Sequence, residues 1–258
     1  MKYLISWVLR TVPRKYLQRV AHWGARLLGV FYMGNRVTCN ICGRHYRKFL
    51  PYGRKGRSNA LCPGCLSLER HRLIWLFLQQ RSDFFQKRYK TLHIAPEYCF
   101  LPRFRKLLGA NYVTADLESP LAQIKLDVMN MPLPDNSFEV VFCNHVLEHV
   151  ADDRQAMREI YRVLKPGGWG ILQVPLFHPL PDTTYEDPTI TDAAGRERAF
   201  GQDDHVRLYG KDYIQRLQEA GFQAQEVWLT RELGAAEVAR YALPQDEPVF
   251  FVRKPATG

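Results

Sequence analysis

The sequence has few acidic residues in its first third, few cysteines and no long hydrophobic run. Residues 1–90 contain 2 acidic and 19 basic residues, whereas residues 91–258 contain 24 acidic and 17 basic ones. These balances, +17 and −7, give the net charge of +10 and predict two units that meet near residue 90. The basic excess indicates acidic partners for the first unit, such as nucleic acid, anionic lipid or phosphorylated substrates.

Other classes are excluded by what the sequence lacks. No run of 18 or more apolar residues is present, so no membrane-spanning helix is predicted. The 17 glycines and 16 prolines are too few for collagen-like or low-complexity sequence. Basic residues follow the short apolar start, Met1–Leu9, at once, which disfavours a signal peptide. We therefore expect a cytoplasmic protein, with peripheral contact at the inner membrane face as an open alternative.

Four of the six cysteines form two Cys-x-x-Cys pairs. The pairs are Cys39/Cys42 and Cys62/Cys65, and 19 residues separate them. Each turn can point two sulfurs at one ion, so the spacing predicts a tetrahedral structural zinc with four thiolate ligands. The remaining cysteines, Cys99 and Cys143, lie in apolar surroundings and are predicted to be inert buried thiols.

The zinc segment is basic and contains aromatic residues. Arginines and lysines between the two pairs alternate with Tyr46, Phe49 and Tyr52. Such a segment can grip phosphate and stack bases, or it can be a solubilising loop. The composition leaves both interpretations open.

A basic amphipathic helix is predicted after Pro13. Its apolar positions recur at steps of three and four: Tyr16, Val20, Trp23, Leu27 and Phe31. A basic stripe follows beside them. The helix is expected either to bind a membrane surface or nucleic acid, or to pack its apolar stripe on the protein and leave a solvated basic edge.

Strand-like and helix-like runs alternate from residue 90 onward. Among them are a predicted strand over Phe138–Cys143 and a predicted helix over Asp152–Leu164, which a Lys-Pro-Gly-Gly turn closes. This order predicts a Rossmann-like α/β fold, a mostly parallel sheet with helices on both faces. The predicted organisation is a basic helical segment over 1–35, a zinc module over 36–66, a connecting helix over 67–90 and the α/β domain over 91–258. The polar stretch 177–205 has little periodicity and is predicted to be a functional loop such as a substrate-covering lid.

Two stretches of the α/β domain carry a family resemblance. They read MPLPDNSFEVVFC over 131–143 and MREIYRVLKPGG over 157–168. Over about residues 90–230 the chain resembles class I S-adenosylmethionine-dependent methyltransferases of the type 11 group, which implies a seven-stranded sheet. The whole chain, with its N-terminal cysteine segment, resembles bacterial methyltransferases of unassigned acceptor.

The resemblance implies roles for matching positions. Asp116 would hold the ribose hydroxyls, Asp127 would accept from the adenine amino group, and Asn144 and His145 would lie beside the methyl group. The implied cofactor-binding set is His93, Ala95, Glu97, Asp116, Leu117, Asp127, Val128, Asn144 and His145. The chain departs from the family at residues 93–99, because Ala95, Glu97 and Cys99 stand where the family has glycines. Either the site is inactive, or the loop takes another path with Glu97 meeting the methionine amino group, which we favour.

Candidate catalytic residues lie in and near the polar stretch. His205 or His145 could act as a base for the acceptor, and His149 and His178 are further candidates, His149 being more consistent with a capping or packing role. Arg207 could clamp an acidic acceptor, with Tyr209 beside it. Alternatively, Asp204 or Gly210 caps the next helix while Arg207 and Tyr209 brace the loop.

The sequence thus predicts a methyltransferase that acts on a small molecule or glycan, with S-adenosylmethionine and structural zinc. An RNA methyltransferase that uses the basic module, and a non-catalytic binding protein on the same fold, are the alternatives. The absence of an Asn-Pro-Pro-Tyr motif makes the RNA alternative the weaker one. The acceptor and the oligomeric state are left open.

Overall fold

The chain folds into two units in the computed structural model, which describes residues 14–53 and 56–256, with only the backbone given for residues 14–22. The N-terminal unit comprises residues 1–85, 97–103 and 229–246, and the second unit comprises 86–96, 104–228 and 247–258. The chain first passes from the N-terminal unit to the second unit between residues 85 and 86. The structure differs from the continuous 91–258 domain because two later segments group with the N-terminal unit.

One buried arginine explains why residues 229–246 belong to the N-terminal unit. Arg72 is fully buried, and its guanidinium donates to the carbonyl oxygens of Tyr241 at 2.7 Å and Ala242 at 2.9 Å. A buried cation needs acceptors on every side, and carbonyls from residue 229 onward supply two of them. No local sequence pattern announces such a contact.

The N-terminal unit is built from helices and two small hairpins. Its elements are α1 (Arg14–Phe31), β1 (Met33–Thr38), β2 (His45–Tyr46), β3 (Leu50–Tyr52), β4 (Arg57–Leu61), α2 (Glu69–Gln80), α7 (Leu229–Glu232) and α8 (Ala235–Tyr241). β1 pairs with β2 and β3 pairs with β4, both antiparallel. The helix α3 (Leu101–Leu108) begins in this unit and continues in the second.

The second unit contains a seven-stranded sheet with flanking helices. Its remaining elements are β5 (Thr91–Ile94), β6 (Tyr112–Asp116), β7 (Ile124–Lys125), β8 (Phe138–Asn144), α4 (Asp153–Val163), β9 (Leu164–Gln173), β10 (Tyr185–Glu186), α5 (Ala193–Phe200), β11 (Arg207–Leu208), α6 (Tyr213–Glu219), β12 (Gln223–Val227) and β13 (Val249–Arg253). The strand order is β12-β13-β9-β8-β5-β6-β7, with β13 antiparallel to both neighbours and the other pairs parallel. The predicted Rossmann-like fold is confirmed.

The strand order reverses between β5 and β8. From β5 the chain proceeds outward through β6 and β7, then returns to place β8 on the other side of β5. Right-handed crossovers then put the connecting helices on opposite faces of the sheet. Phe104 of α3 stacks on Phe142 at 5.5 Å, while Met157 of α4 belongs to the core on the Val141 face. A reversal of this kind leaves a crevice at the carboxyl ends of the strands, where such sheets bind ligands.

Three local features shape the segment that runs from β8 through α4 to β9. Asp152 caps α4 by accepting a hydrogen bond from the Gln155 backbone N–H at 2.8 Å. The helix ends at Val163, and β9 runs from Leu164 through the predicted Lys-Pro-Gly-Gly turn. A Cβ on Gly170 would lie 2.7 Å from the Val141 carbonyl oxygen, so glycine is needed for β9 to pack beside β8.

Candidate functional site

The four paired cysteines form one cluster in the N-terminal unit. Their sulfurs all lie within 4.8 Å of one another, and Cys39 Sγ lies 3.6 Å from Cys65 Sγ while Cys42 Sγ lies 3.7 Å from Cys62 Sγ. With a Zn–S bond of about 2.3 Å, the edge of a regular tetrahedron is about 3.8 Å. The sulfur separations thus fit a tetrahedral ion.

The two Cys-x-x-Cys turns have the same backbone design. Cys39 N–H donates to Arg44 O at 2.9 Å and Gly43 N–H donates to Cys39 O at 2.8 Å. In the second turn, Cys62 N–H donates to Ser67 O and Leu66 N–H donates to Cys62 O, both at 2.8 Å. The closing hydrogen bonds turn each pair of thiols toward the same point.

The clustered thiols cannot all ionise without a cation. Hydrogen bonds from Cys42 and Cys62 lower the pKa of Cys39, whereas the hydrogen bond with Cys39 raises the pKa of Cys65. Such opposite shifts are expected when neighbouring thiols compete for protons. A divalent cation would remove this competition, which is what a four-thiolate metal site requires.

Two of the three aromatic residues in the basic segment are buried. Tyr46 is 4% exposed and Phe49 is fully buried beneath the Arg72 guanidinium, which lies 4.2 Å from the ring centroid. Only Tyr52 is exposed, at 46%. Arg54 and Lys55, two cations of the predicted phosphate grip, lie outside the described residues. Base stacking by all three rings is therefore not available in this structure.

The helix α1 turns its apolar stripe to solvent. Trp23 and Leu27 are each 67% exposed and Phe31 is 73% exposed, whereas Ala25 is buried. A Cβ on Gly29 would lie 3.0 Å from Cβ of Pro63, so the helix packs through its small residues. The expectation that the apolar stripe would pack on the protein is therefore wrong for residues 23–31. Tyr16 and Val20 have no described side chains, and Pro13 lies outside the described residues.

The carboxyl ends of β5 and β6 bring part of the predicted cofactor set together. Ala95 follows β5 with a φ of 51°, a glycine-like conformation at the position of the family's first glycine. Asp116 ends β6, and its Oδ1 accepts from the Glu118 and Ser119 N–H groups at 2.8 and 2.6 Å. The hydrogen bonds of the described chain leave Asp116 Oδ2 free. Leu117 beside it is an apolar side chain that is 55% exposed.

Asp127 and Val128 follow the short strand β7. Asp127 Oδ1 accepts from the Met129 N–H at 2.9 Å, which fixes the turn, and Val128 is 5% exposed. Val128 is a member of the core that also contains Ile94 and Ala115. The carboxylate of Asp127 is thereby held by a rigid backbone at the edge of the sheet.

A histidine and a carboxylate meet at the end of β8. Asn144 is the last residue of the strand, and His145 follows with a φ of 55°. His145 Nδ1 lies 3.2 Å from Glu148 Oε1, and neither His145 Nε2 nor Glu148 Oε2 has a hydrogen-bond partner in the described chain. Burial acts to raise the pKa of Glu148, yet the hydrogen bond and charge of His145 lower it on balance. Buried polar atoms without protein partners commonly indicate a ligand site.

Two residues of the predicted cofactor set have other surroundings. His93 is fully buried among aromatic rings, and its Nδ1 lies 2.7 Å from the hydroxyl of Tyr112. Glu97 belongs to the N-terminal unit, where its Oε1 lies 3.9 Å from His71 Nε2. His93 therefore packs in the core, and the carboxylate of Glu97 lies beside His71.

The predicted substrate clamp is a buried brace. Arg207 is 2% exposed and donates to Glu186 Oε1 at 2.6 Å, to the carbonyls of Val150 and Ala151 at 2.7 and 3.0 Å, and to the carbonyl of Leu147. Tyr209 is 1% exposed and its hydroxyl donates to Asp153 Oδ2 at 2.9 Å. Burial raises the pKa of Tyr209, so its hydroxyl stays protonated. Both residues brace the loop, the alternative that the sequence left open.

His205 packs beside His149. The ring centroids are 4.8 Å apart in an edge-to-face arrangement, and His205 is 1% exposed. His205 Nδ1 lies 3.2 Å from Phe200 O, and burial lowers the pKa of the imidazole. The ring is therefore neutral near neutral pH.

Sequence reasoning missed Glu148, Asp153 and Arg216. Asp153 is 2% exposed and accepts from Arg216 Nη1 at 3.1 Å through both carboxylate oxygens. A signal was present for Glu148, because a carboxylate between two histidines follows the end of a buried strand. Asp153 and Arg216 are 63 residues apart, and no local pattern joins them.

A family model described as a methyltransferase domain matches residues 89–172, about a third of the chain. A 57-residue stretch is 42% identical to the demethylmenaquinone methyltransferase of Chlamydia trachomatis serovar L2, covering 22% of this chain and 25% of that protein. A 62-residue stretch is 47% identical to the enzyme of the same name from Listeria monocytogenes serotype 4a, covering 24% of this chain and 26% of that protein. The chain thus spans about a quarter of the length of the curated relatives that it matches.

Solved structures of methyltransferases are also similar. An S-adenosylmethionine-dependent methyltransferase from Mesorhizobium loti has a TM-score of 0.46 and 18% identity, covering 69% of this chain and 95% of that one. No helix of the described residues combines the length and apolar character needed to cross a membrane. The family match over residues 89–172 covers the part of the second unit that runs from β5 to nearly the end of β9.

Proposed function

We propose that this protein transfers a methyl group from S-adenosylmethionine to a small-molecule or glycan acceptor. The observation that carries the proposal is the edge of the sheet at the carboxyl ends of β5, β6 and β8. Ala95 there has a glycine-like backbone, Asp116 has an oxygen that no hydrogen bond within the described residues occupies, and exposed Leu117 lies beside it.

These residues fit the cofactor chemically. A carboxylate oxygen such as Asp116 Oδ2 can accept hydrogen bonds from a ribose diol. Leu117 offers an apolar surface to one face of a purine ring, and Asp127 can accept from its amino group. When bound, S-adenosylmethionine supplies a methyl group activated by a sulfonium.

His145 is the general base in this proposal. Its Nδ1 faces Glu148 Oε1, so the neutral ring carries its proton on Nδ1 and its lone pair on Nε2. Glu148 thus fixes the tautomer and would stabilise the imidazolium, as the aspartate of a catalytic triad does. The proton of an acceptor hydroxyl or amine can pass to Nε2, which no protein group of the described chain occupies.

Calorimetric titration with S-adenosylhomocysteine tests the proposal. We expect binding by the wild-type chain and a loss of about ten- to a hundredfold in affinity for Asp116→Asn, because one charged hydrogen bond contributes about 1.5–3 kcal/mol. Glu118→Gln, an exposed change two residues away, is the matched control and should bind normally. Absence of binding by a folded wild-type chain would favour the non-catalytic alternative.

We propose zinc as the structural ion of the four-cysteine cluster. The sulfur separations near the tetrahedral edge support this, and four protein ligands leave no open position for catalysis. Chelation should remove the thiolate-bound ion and unfold the N-terminal unit before the second. Cys65→Ser should reproduce that loss, and an N-terminal unit that melts unchanged after chelation would contradict the proposal.

We propose an anionic membrane surface as the partner of α1. Trp23, Leu27 and Phe31 recur at intervals of four residues and are exposed, while Arg26 is exposed on the same helix. An apolar stripe beside cationic side chains is the pattern of a helix that lies in the lipid interface. Burial of Tyr46 and Phe49 weakens the RNA alternative, which relied on base stacking.

Flotation with vesicles tests this partner. Vesicles that contain phosphatidylserine should capture the wild-type chain, and Leu27→Asp should abolish capture by removing apolar contact and adding repulsion. Tyr185→Ser, a similarly exposed apolar change in the second unit, is the control. Equal capture of the wild-type chain and Leu27→Asp would overturn the proposal. A wild-type chain that does not bind vesicles but shifts RNA in a salt-sensitive way would favour the RNA alternative.

A further inference from the structure

A second cluster of metal-ligating groups lies in the second unit. Glu148, His149 and His205 each offer one ligand atom, and these atoms all lie within 4.8 Å of one another. We propose that these three residues bind a divalent transition-metal ion such as zinc. This ion is separate from the one held by the four cysteines.

Backbone carbonyls fix the tautomer and orientation of both imidazole rings. His149 Nδ1 lies 3.2 Å from Asp204 O, and His205 Nδ1 lies 3.2 Å from Phe200 O. A carbonyl only accepts hydrogen bonds, so each Nδ1 carries the proton and each Nε2 carries the lone pair. Metal-binding histidines are oriented in this way in known sites, with the outer nitrogen donating to a carbonyl or carboxylate.

The carboxylate supplies the second and independent observation. Glu148 is 1% exposed, its Oε1 faces His145, and its Oε2 has no hydrogen-bond partner in the described chain. A buried anionic oxygen without a partner is costly unless a cation or donor compensates it. His149 Nε2 lies 4.0 Å from Glu148 Oε1, a separation that leaves room for a shared ion.

The two loops that carry these ligands are fastened to each other. Glu148 and His149 lie between β8 and α4, and His205 lies between α5 and β11. Arg207 donates to the carbonyls of Val150 and Ala151, and the Val206 N–H donates to Glu148 O at 2.9 Å. The site is therefore held in place before any ion binds, as a preorganised metal site requires.

Three protein ligands leave coordination positions for an oxygen of another molecule. Such an oxygen loses its proton more readily because the metal lowers its pKa. If the proposed methyltransferase function holds, the site selects an acceptor with a hydroxyl group, whose proton passes to His145 Nε2. This consequence depends on the proposed function, whereas ion binding itself does not.

Cobalt(II) titration of the full chain separates the two sites. Thiolate-to-cobalt absorption reports the cysteine cluster, and mass spectrometry of bound metal reports the total. We expect two ions per chain in the wild type and one in Glu148→Gln and His149→Ala, with unchanged thiolate absorption. His178→Ala, a histidine outside the cluster, should keep both ions.

Folding does not confound the test, because Glu148→Gln is isosteric and His149 is 35% exposed in its side chain. Circular dichroism of each variant verifies this. A wild-type chain that binds only the thiolate-held ion, or variants that keep both ions, would overturn the proposal. A chain that binds two ions but no S-adenosylhomocysteine would sink the proposed function and leave the metal site standing.

Discussion

Gly43 and Leu66 occupy equivalent positions in the two cysteine turns, and both have a left-handed backbone, with φ of 71° and 60°. Each donates the hydrogen bond that closes its turn. The second turn thus forces a branched residue into a conformation that favours glycine. The hydrogen bond that closes the turn, rather than the residue type, fixes the backbone at this position.

Gly43→Ala should lower the free energy of unfolding of the metal-loaded chain by about 1 kcal/mol. The added Cβ meets no atom within 4 Å, so the cost is confined to the backbone. Guanidinium unfolding measures it. Gly24→Ala, equally unobstructed but helical, should instead stabilise by up to about 1 kcal/mol. Effects of the same sign in the two variants would contradict the assignment.

Arg207→Met should destabilise the chain by about 3–5 kcal/mol, because it removes the donor of the carbonyls of Leu147, Val150 and Ala151 and leaves Glu186 with Arg216 alone. Thermal unfolding with calorimetry measures this loss. The control is Lys211→Met, whose ion pair with Asp182 has side chains 64% and 89% exposed. That change should stay within about 0.5 kcal/mol. If Arg207→Met is equally mild, the residue does not brace the loop.

Glu159 should make stability depend on pH in the acid range. The Arg162 guanidinium at 2.7 Å, with the Met131 N–H, lowers the pKa of Glu159 below 4.5. A depressed folded pKa contributes stability that is present above pH 4.5 and is lost as the pH falls through the folded value.

Glu159→Gln should therefore be less stable than wild type at neutral pH, by about 1.5–3 kcal/mol, with the gap closing below pH 4.5. Urea unfolding at a series of pH values measures the gap. The exposed change Glu118→Gln should show none. A gap that stays constant from neutral to acid pH would refute the coupling.

Leu117→Ala should weaken S-adenosylhomocysteine binding by about tenfold, because it removes apolar contact worth about 1–2 kcal/mol. Since Leu117 is 55% exposed, the free energy of unfolding of the variant should differ from that of wild type by less than about 0.5 kcal/mol. Calorimetric titration and guanidinium unfolding measure the two effects. Tyr185→Ala should leave affinity unchanged. Unaltered affinity of Leu117→Ala would remove this residue from the cofactor site.

Features that depend on short stretches of sequence were predicted well. The run Phe138–Cys143 forms β8, which extends one residue further to Asn144, and the helix predicted over Asp152–Leu164 forms over Asp153–Val163. Their apolar periodicity is local, so the sequence is enough to place them. The cysteine cluster was predicted for the same reason, because its ligand spacing lies within two short turns.

Features that depend on distant partners were not predicted. The sequence left open whether the apolar stripe of α1 packs on the protein or faces a partner. Gly29 and Ala25 pack on the protein instead, and a Cβ on Gly29 would already lie 3.0 Å from Cβ of Pro63. The sequence did not decide between an acceptor clamp and a loop brace for Arg207, and its partners, a carboxylate from β10 and carbonyls near α4, come from distant elements. No periodicity within one element contains that information.

The sequence by itself determined the order of strands and helices, the two cysteine turns and the charge division between residues 1–90 and 91–258. Only the tertiary structure decided which of the predicted polar residues can contact a ligand and which are buried in hydrogen bonds that hold the loop. It also brought Glu148 and His149 to His205, more than fifty residues away. The reason is physical: local pattern fixes backbone conformation, whereas the role of a polar side chain depends on the groups that surround it in space.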